Sequence, residues 1–294
     1  MTMPTILDDP ASFSTVRASE QSTRAQAETA RTARADVLTD VDGHLVAVHS
    51  PQSFEADQYR ILRHFLDQHG GGPKRQVLGI TSPTAGDGKT TTAVNLAVTL
   101  AQSPGARVVL IDADLRRPFV ATSLGLDDRR GPGLAATALD SKLELEQLVR
   151  PTPFSVDVVP AGPSTPSAYR LFDSERVGQL LDQARRQYDH VVLDTPPVLL
   201  VPDCRLMSQW VDGFIVVVAA HRTPRKLLAD GLSALEEEKL LGIVFNADDR
   251  PLSGYFGRYQ GYYGYHQRHS ESGRRSRWRW PWRRPARGRT QGWW

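Results

Sequence analysis

The stretch Gly79-Ile80-Thr81-Ser82-Pro83-Thr84-Ala85-Gly86-Asp87-Gly88-Lys89-Thr90-Thr91-Thr92 lies between an apolar run that reads as a strand and a helical run that ends at Pro104-Gly105. A bound phosphate needs converging backbone N–H groups, a helix N-terminus and a cation that reaches its outer oxygens, and glycine lets the backbone approach closely. Gly86, Gly88 and Lys89 supply these features. The residues Ala85, Gly86, Asp87, Gly88, Lys89, Thr90 and Thr91 form the candidate cradle, with the Thr90 hydroxyl placed for Mg²⁺. Pro83 stands where the G-x4-G-K-[ST] pattern has its first glycine, so the loop is a variant. A glycine-rich turn closed by lysine is the plain alternative, and Gly-Lys-Thr alone does not separate the two.

Two further strand ends carry acids. In Val108-Val109-Leu110-Ile111-Asp112-Ala113-Asp114-Leu115-Arg116, the alternation of a strand points Asp112 and Asp114 the same way at its carboxyl edge, where ligands of open α/β sheets collect. In Val191-Val192-Leu193-Asp194-Thr195-Pro196-Pro197 an apolar strand ends in Asp194 and a proline pair stops it. That is the form of a Walker B aspartate acting on a metal or its water. Turn chemistry, with each Asp bonding local N–H groups, is the competing reading of either motif alone. Three such motifs at strand ends in one chain point together to nucleotide binding.

Around them, β-rich runs at Gln76–Thr81, Arg107–Asp112, Val156–Pro160, His190–Asp194, Gly213–Val218 and Leu241–Asn246 alternate with helical stretches. The helices are expected over Lys89–Gln102, Asp173–Arg186, Asp203–Trp210 and Arg225–Leu240. Parallel neighbours need a crossover that a helix supplies, so the fold class is α/β, a mostly parallel sheet flanked by helices on both faces. Before the first strand, Asp57–Leu66 reads as an amphipathic helix with Asp57, Arg60 and Arg63 on its outer ridge. Such ridges are commonly solvated charged faces.

The 294 residues, 40% hydrophobic and 23% charged, suit a soluble globular protein and exclude fibrous or wholly disordered chains. A single cysteine, Cys204, forms no intramolecular disulfide, and no signal peptide opens the chain, which together favour a cytoplasmic protein. Apolar runs such as Phe214–Ala220 are too short to cross a bilayer. The expected organisation is a flexible leader at 1–50, a nucleotide-binding domain at 51–250, a tyrosine cluster at 251–266 and a basic tail at 267–294. The tail holds nine arginines against one acid, Glu271, and so carries +8 of a net charge of +3, leaving the rest at −5. Its arginines are interleaved with Trp278, Trp280, Trp282, Trp293 and Trp294. Three readings of it stay open: an anchor on an anionic membrane surface, a single-stranded nucleic-acid contact, or a solubility tail.

Thr81–Thr90, the D-x-D-x-R of Asp112–Arg116 and the D-x-P-P of Asp194–Pro197 resemble the Walker A, A′ and B motifs of the bacterial tyrosine kinases. The resemblance runs from about Ala56 to Tyr265, with Asp57-x-x-Arg60-x-x-Arg63 similar to the family's E-x2-R-x2-R oligomerisation helix, Asp replacing Glu. Tyr255, Tyr259, Tyr262, Tyr263 and Tyr265 match its carboxyl-terminal tyrosine cluster, in a Gly-rich segment with neither a helical nor a strand stripe. The partition and division-site ATPases share the P-loop type, but at their additional lysine this chain has Thr84 and then Ala85. A non-kinase P-loop ATPase acting as a nucleotide-switched assembly or positioning module is the alternative.

The resemblance implies a cytoplasmic autokinase controlling capsule or exopolysaccharide synthesis, with ATP on the Walker A loop and Lys89 on its β/γ-phosphates. It implies Mg²⁺ held by Thr90 with Asp112 and Asp194. Asp112 or Asp114 accepts the tyrosine proton, Asp112 being favoured, and Asn246 contacts adenine. It further implies a ring-like homo-oligomer in which the five tyrosines are phosphorylated in trans. A transmembrane activator of the polysaccharide chain-length type would hold the kinase at the inner face of the cell membrane.

Overall fold

The computed structural model describes residues 39–69, 76–126, 131–163, 171–172 and 174–248. The tyrosine cluster, the basic tail and most of the leader lie outside the described residues. Seven strands, β1 (Gln76–Thr81), β2 (Val108–Asp112), β3 (Arg150–Pro151), β4 (Val156–Val159), β5 (His190–Asp194), β6 (Gly213–Ala219) and β7 (Leu240–Asn246), form one sheet in the order β3-β4-β2-β5-β1-β6-β7. All pairs are parallel except β3 with β4.

The two-residue side-chain period sorts the central strands onto two cores. Val77, Val109, Ile111, Val191 and Leu193 face one side, where Val177, Leu180, Leu181 and Ala184 of α6 (Glu175–Gln187) cover them. Leu78, Ile80, Leu110, Val192, Ile215 and Val217 face the other, under α3 (Lys89–Ala101). From Thr92 to Leu100 every residue of α3 is buried, because this helix is covered on its outer side as well.

That cover corrects one expectation. Part of the leader expected through residue 50 packs on the core: Val41, Leu45, Ala47 and Val48 are buried, the last two in the short α1 (Val46–His49). Asn95 of α3 receives the Ala47 N–H at 2.9 Å and donates to the His44 carbonyl at 3.2 Å, so a buried amide ties the leader to the core. The amphipathic helix is α2 (Phe54–His69), longer at both ends than expected.

Among the described residues the remaining α-helices are α4 (Val120–Ser123), α5 (Leu145–Leu148), α7 (Asp203–Met207) and α8 (Arg225–Leu232). The helix expected over Arg225–Leu240 ends at Leu232. Beyond it, Ala234 and Leu235 N–H groups make i to i−3 bonds, and Glu237–Lys239 is a 3-10 turn. Tertiary bonds hold this shape: Arg205 Nε to the Ala234 carbonyl at 3.2 Å, Ser208 Oγ to Glu236 at 3.0 Å and Lys239 Nζ to the Val211 carbonyl at 2.7 Å.

The chain runs outward from β1 to β2 and β4, returns to insert β5 beside β1, and crosses to β6 on the far side. β1 is therefore the switch point of the sheet, and the loop leaving its carboxyl end opens onto the crevice where such folds bind ligands.

Candidate active site

The loop from Ser82 to Gly88 leaves β1 and enters α3. Gly86 and Gly88 have φ of 85° and 94°, a region that other residues rarely enter. At Gly88 a side chain is excluded twice over, since a Cβ there would lie 1.9 Å from the Asn246 amide nitrogen. Asp87, 2% exposed, holds the loop's shape. One of its oxygens accepts the Thr84 N–H at 3.0 Å and hydroxyl at 2.9 Å, and the other accepts the Thr223 hydroxyl at 2.6 Å. Asp87 is thus a brace, both of its oxygens engaged by Thr84 and Thr223. No side chain caps α3, and its first N–H groups, from Lys89 onward, are the donors that an anion would use.

Lys89, Thr90, Asp114 and Asp194 converge at the loop's mouth. Lys89 Nζ lies 2.8 Å from Asp114 Oδ2 and 3.4 Å from Asp194 Oδ1, and the Thr90 hydroxyl donates to Asp194 Oδ2 at 2.6 Å. Asp112 and Asp194 sit opposite one another in the register of β2 and β5. Lys89, Asp112, Asp114 and Asp194 are all under 9% exposed. Burial pushes Asp112 well above the ordinary carboxylate range and Asp194 upward too, and their mutual repulsion adds to Asp112's shift. Burial works against the charged form of Lys89, but the Asp194 and Asp114 carboxylates outweigh it and raise its pKa.

Three buried carboxylates against one ammonium leave an excess of negative charge, which fits a divalent cation. Among the described residues no three acidic, histidine or cysteine side chains form a self-sufficient metal cage. Mg²⁺ needs none, taking one or two carboxylates with water and phosphate oxygens. The Thr90–Asp194 pair has that chemistry.

The two acids of the Asp112–Asp114 motif have different surroundings. Asp112 accepts N–H bonds from Phe119 and Val120 at 3.1 Å and from Asp114 at 3.2 Å, so both its oxygens are engaged by backbone. Asp114 accepts the Arg117 N–H at 3.1 Å with one oxygen and faces Lys89 with the other. Asn246, expected at adenine, stands beside the loop and donates its amide to the Asp87 carbonyl at 3.0 Å. Asp57 and Arg60 pair with each other, and Arg63 reaches the Thr99 carbonyl at 3.4 Å, so the ridge of α2 is engaged within this chain. Tyr255, Tyr259, Tyr262, Tyr263 and Tyr265 lie outside the described residues.

Sequence reasoning missed three contributors. Asp203, 1% exposed, binds Arg116 with both oxygens, at 3.1 and 3.3 Å, and so links the loop after β2 to the start of α7. Thr223 braces Asp87, and Arg222 reaches the Gly86 carbonyl. The one signal available was Arg116 itself, a cation at a fixed offset from two acids. Cys204 is buried, and burial pushes its thiol up to about 11 against the opposing hydrogen bonds of Thr195 and Thr81, so it is no nucleophile.

The model of the AAA domain family matches residues 75–235. The chain is 35% identical over 219 residues to the tyrosine-protein kinase YwqD of Bacillus subtilis (strain 168), an alignment covering 74% of this chain and 91% of that one. It is 28% identical over 234 residues to the succinoglycan biosynthesis transport protein ExoP of Rhizobium meliloti (strain 1021), covering 77% of this chain but 29% of ExoP. The kinase domain of the Escherichia coli tyrosine kinase ETK superposes with a TM-score of 0.65 at 28% identity, covering 72% of this chain and 83% of that domain.

Proposed function

The chain belongs to the bacterial tyrosine kinases, P-loop proteins of the AAA-domain type, and from that premise we propose that it transfers the γ-phosphoryl group of ATP to tyrosines of its own carboxyl-terminal segment. The observation that carries this reading is the meeting of Lys89, Thr90, Asp114 and Asp194 at the mouth of a braced phosphate loop. Phosphoryl transfer rests on positioning and electrostatics, and this arrangement supplies both.

The N–H groups at the start of α3 cradle the phosphates, and Lys89, held by Asp114 and Asp194, places its charge on the β/γ oxygens. Thr90 and Asp194, with Asp112 beside them, would hold Mg²⁺, which would supply positive charge against the charge that develops in phosphoryl transfer. Asp112 or Asp114 accepts the proton of the incoming tyrosine hydroxyl. Burial and repulsion keep Asp112 more basic than an ordinary carboxylate, which supports its role as base. The three backbone bonds on its carboxylate fix where a proton would be taken.

The acceptors are Tyr255, Tyr259, Tyr262, Tyr263 and Tyr265, presented in trans within a ring whose contacts include Asp57, Arg60 and Arg63. Each phosphate adds about 1.5–2 negative charges, enough for self-repulsion to loosen the ring. The relative named for succinoglycan biosynthesis supports a role in exopolysaccharide polymerisation and export. Among the described residues no helix is long and apolar enough to cross a membrane. A transmembrane chain-length protein, and the Arg/Trp tail on anionic lipid, would hold the kinase at the inner membrane face.

Incubation with Mg-ATP followed by phosphopeptide mapping tests the reading. The label is expected between Tyr255 and Tyr265, and replacing those five by Phe removes most phosphotyrosine while ADP binding is unchanged. Label on Tyr59 or Tyr188, or ATP hydrolysis without any phosphotyrosine, would overturn it.

A further inference from the structure

Asp112 on β2 and Asp194 on β5 lie on one side of β1, while β6 and β7 lie on the other. A nucleoside triphosphate in the loop would direct its terminal phosphate toward Lys89 and these acids. Its nucleoside end must then extend the opposite way, over the carboxyl ends of β6 and β7. Among the described residues, the polar groups there include His221 and Arg222, just after β6, and Asn246 and Asp248 at the end of β7.

Asn246 is committed to the loop, its amide on the Asp87 carbonyl at 3.0 Å and its side chain against Gly88. Arg222 takes the neighbouring carbonyl, that of Gly86, with its guanidinium, while its backbone N–H bonds the Ala219 carbonyl at 3.2 Å. A Cβ built on Gly86 would lie 3.7 Å from the Arg222 guanidinium, so the group sits directly on the loop's outer surface. Arg222 is exposed, and its segment is fixed from both sides. Thr223 donates to Asp87 at 2.6 Å, and the His221 ring lies 3.3 Å from Asp248 Oδ1. A planar cation at the exposed edge of a phosphate loop, on the side away from the buried acids, is suited to cover an aromatic ring.

We propose that Arg222 is the nucleobase-binding residue, its guanidinium stacking on the purine plane, and that Asn246 is a positioning residue that shapes the loop. This rests on the nucleotide-binding reading of the loop and goes beyond it by assigning the nucleoside end of the site. Arg222 is a binding residue here and takes no part in the transferred phosphate's chemistry.

The test is calorimetric titration of the full-length protein with Mg-ADP, together with autophosphorylation at saturating ATP, for the wild type, Arg222→Ala and Arg222→Gln. Base stacking is sequence-tolerant and is lost on truncation to alanine, so Arg222→Ala is expected to bind ADP about tenfold more weakly. The KM for ATP should rise in step, with kcat within about twofold. Arg222→Gln, which keeps a donor for the Gly86 carbonyl but no guanidinium plane, should lose as much affinity as the alanine variant. Unchanged ADP affinity in Arg222→Ala overturns the proposal. So does recovery in Arg222→Gln, which would make the residue a loop brace, or a fall in kcat matching the loss of affinity, which would place its charge on the phosphates. A wild type that binds no ADP sinks the nucleotide site itself. A wild type that binds ADP without making phosphotyrosine sinks only the kinase reading, and the affinity comparison still decides Arg222.

Discussion

The two flanks of the phosphate loop are built on opposite principles. Toward β2 and β5 the side chains are buried, charged and mutually repelling, with Asp112, Asp114 and Asp194 gathered on one lysine. Toward β6 and β7 the groups are more exposed, and Arg222 and Asn246 clasp backbone carbonyls rather than opposing charges, while the Thr223 hydroxyl braces Asp87. One flank concentrates field strength at a cost in stability, and the other sets shape at almost none. The contrast teaches that the chemistry of this site is drawn from a few groups whose burial is unfavourable without a counter-ion, while its geometry is held by inexpensive hydrogen bonds around them.

The largest expected effect comes from removing the positive charge on the repelling flank. Lys89→Met should cut autophosphorylation by more than about a thousandfold, since a charge placed on the transferred phosphate is worth several kcal/mol. The fold should survive, as read by circular dichroism. Retained phosphotyrosine in folded Lys89→Met protein would erase the distinction between the flanks.

Next is the brace between them. Asp87→Ala leaves the half-buried Thr84 N–H and two hydroxyls without their acceptor, a cost of about 1 kcal/mol or more. For a domain of this size each kcal/mol is about 2–4 °C in Tm, so a drop of several degrees with weakened ADP binding is expected by thermal shift. An unchanged Tm would show that the loop keeps its shape without Asp87.

On stability, the smallest effect has the opposite sign. Asp194→Asn removes one of the repelling carboxylates while its side-chain oxygen still accepts from Thr90, so it should raise Tm by about 2–4 °C and abolish phosphotyrosine. The pH dependence sharpens the same point. Asp112 and Asp194 have folded pKa values raised above the ordinary 3.8, so the folded state holds more protons than the unfolded chain in that window. Their contribution is therefore most favourable at low pH and is lost as pH rises from about 3.8 through the folded values. Asp194→Asn should flatten that slope in denaturation curves, and an unaltered slope would assign the burial cost elsewhere.

Much of this organisation is legible in the chain itself. Strands such as Gln76–Thr81 and His190–Asp194 are apolar runs ended by Gly, Pro or Asp, and the structure places both at the expected bounds. The loop and its two acid-bearing neighbours follow from short-range pattern, because each motif occupies consecutive residues. What stays illegible depends on partners far apart in sequence. Nothing local distinguishes Asp203 from any other helix-starting acid until Arg116 is seen against it. Asn246 looks like a free amide at a strand end, and only the approach of β7 to Gly88 commits it. The packed part of the leader hides for a related reason: Val41, Leu45, Ala47 and Val48 form too short a stripe to show a period, and their burial depends on Asn95.

Cys204 has a consequence of a different kind. It is the chain's one cysteine, it is fully buried behind the ends of β1 and β5, and its hydrogen bonds run to Thr81, Thr195 and the Pro196 carbonyl. A thiol in that position meets a reagent only when the back wall of the catalytic edge swings open, so its labelling rate is a clock for that opening. Ligands that grip the closed form slow the clock by mass action. The molecule thus carries an intrinsic timer of active-site breathing, one that needs no engineered reporter and no other cysteine removed.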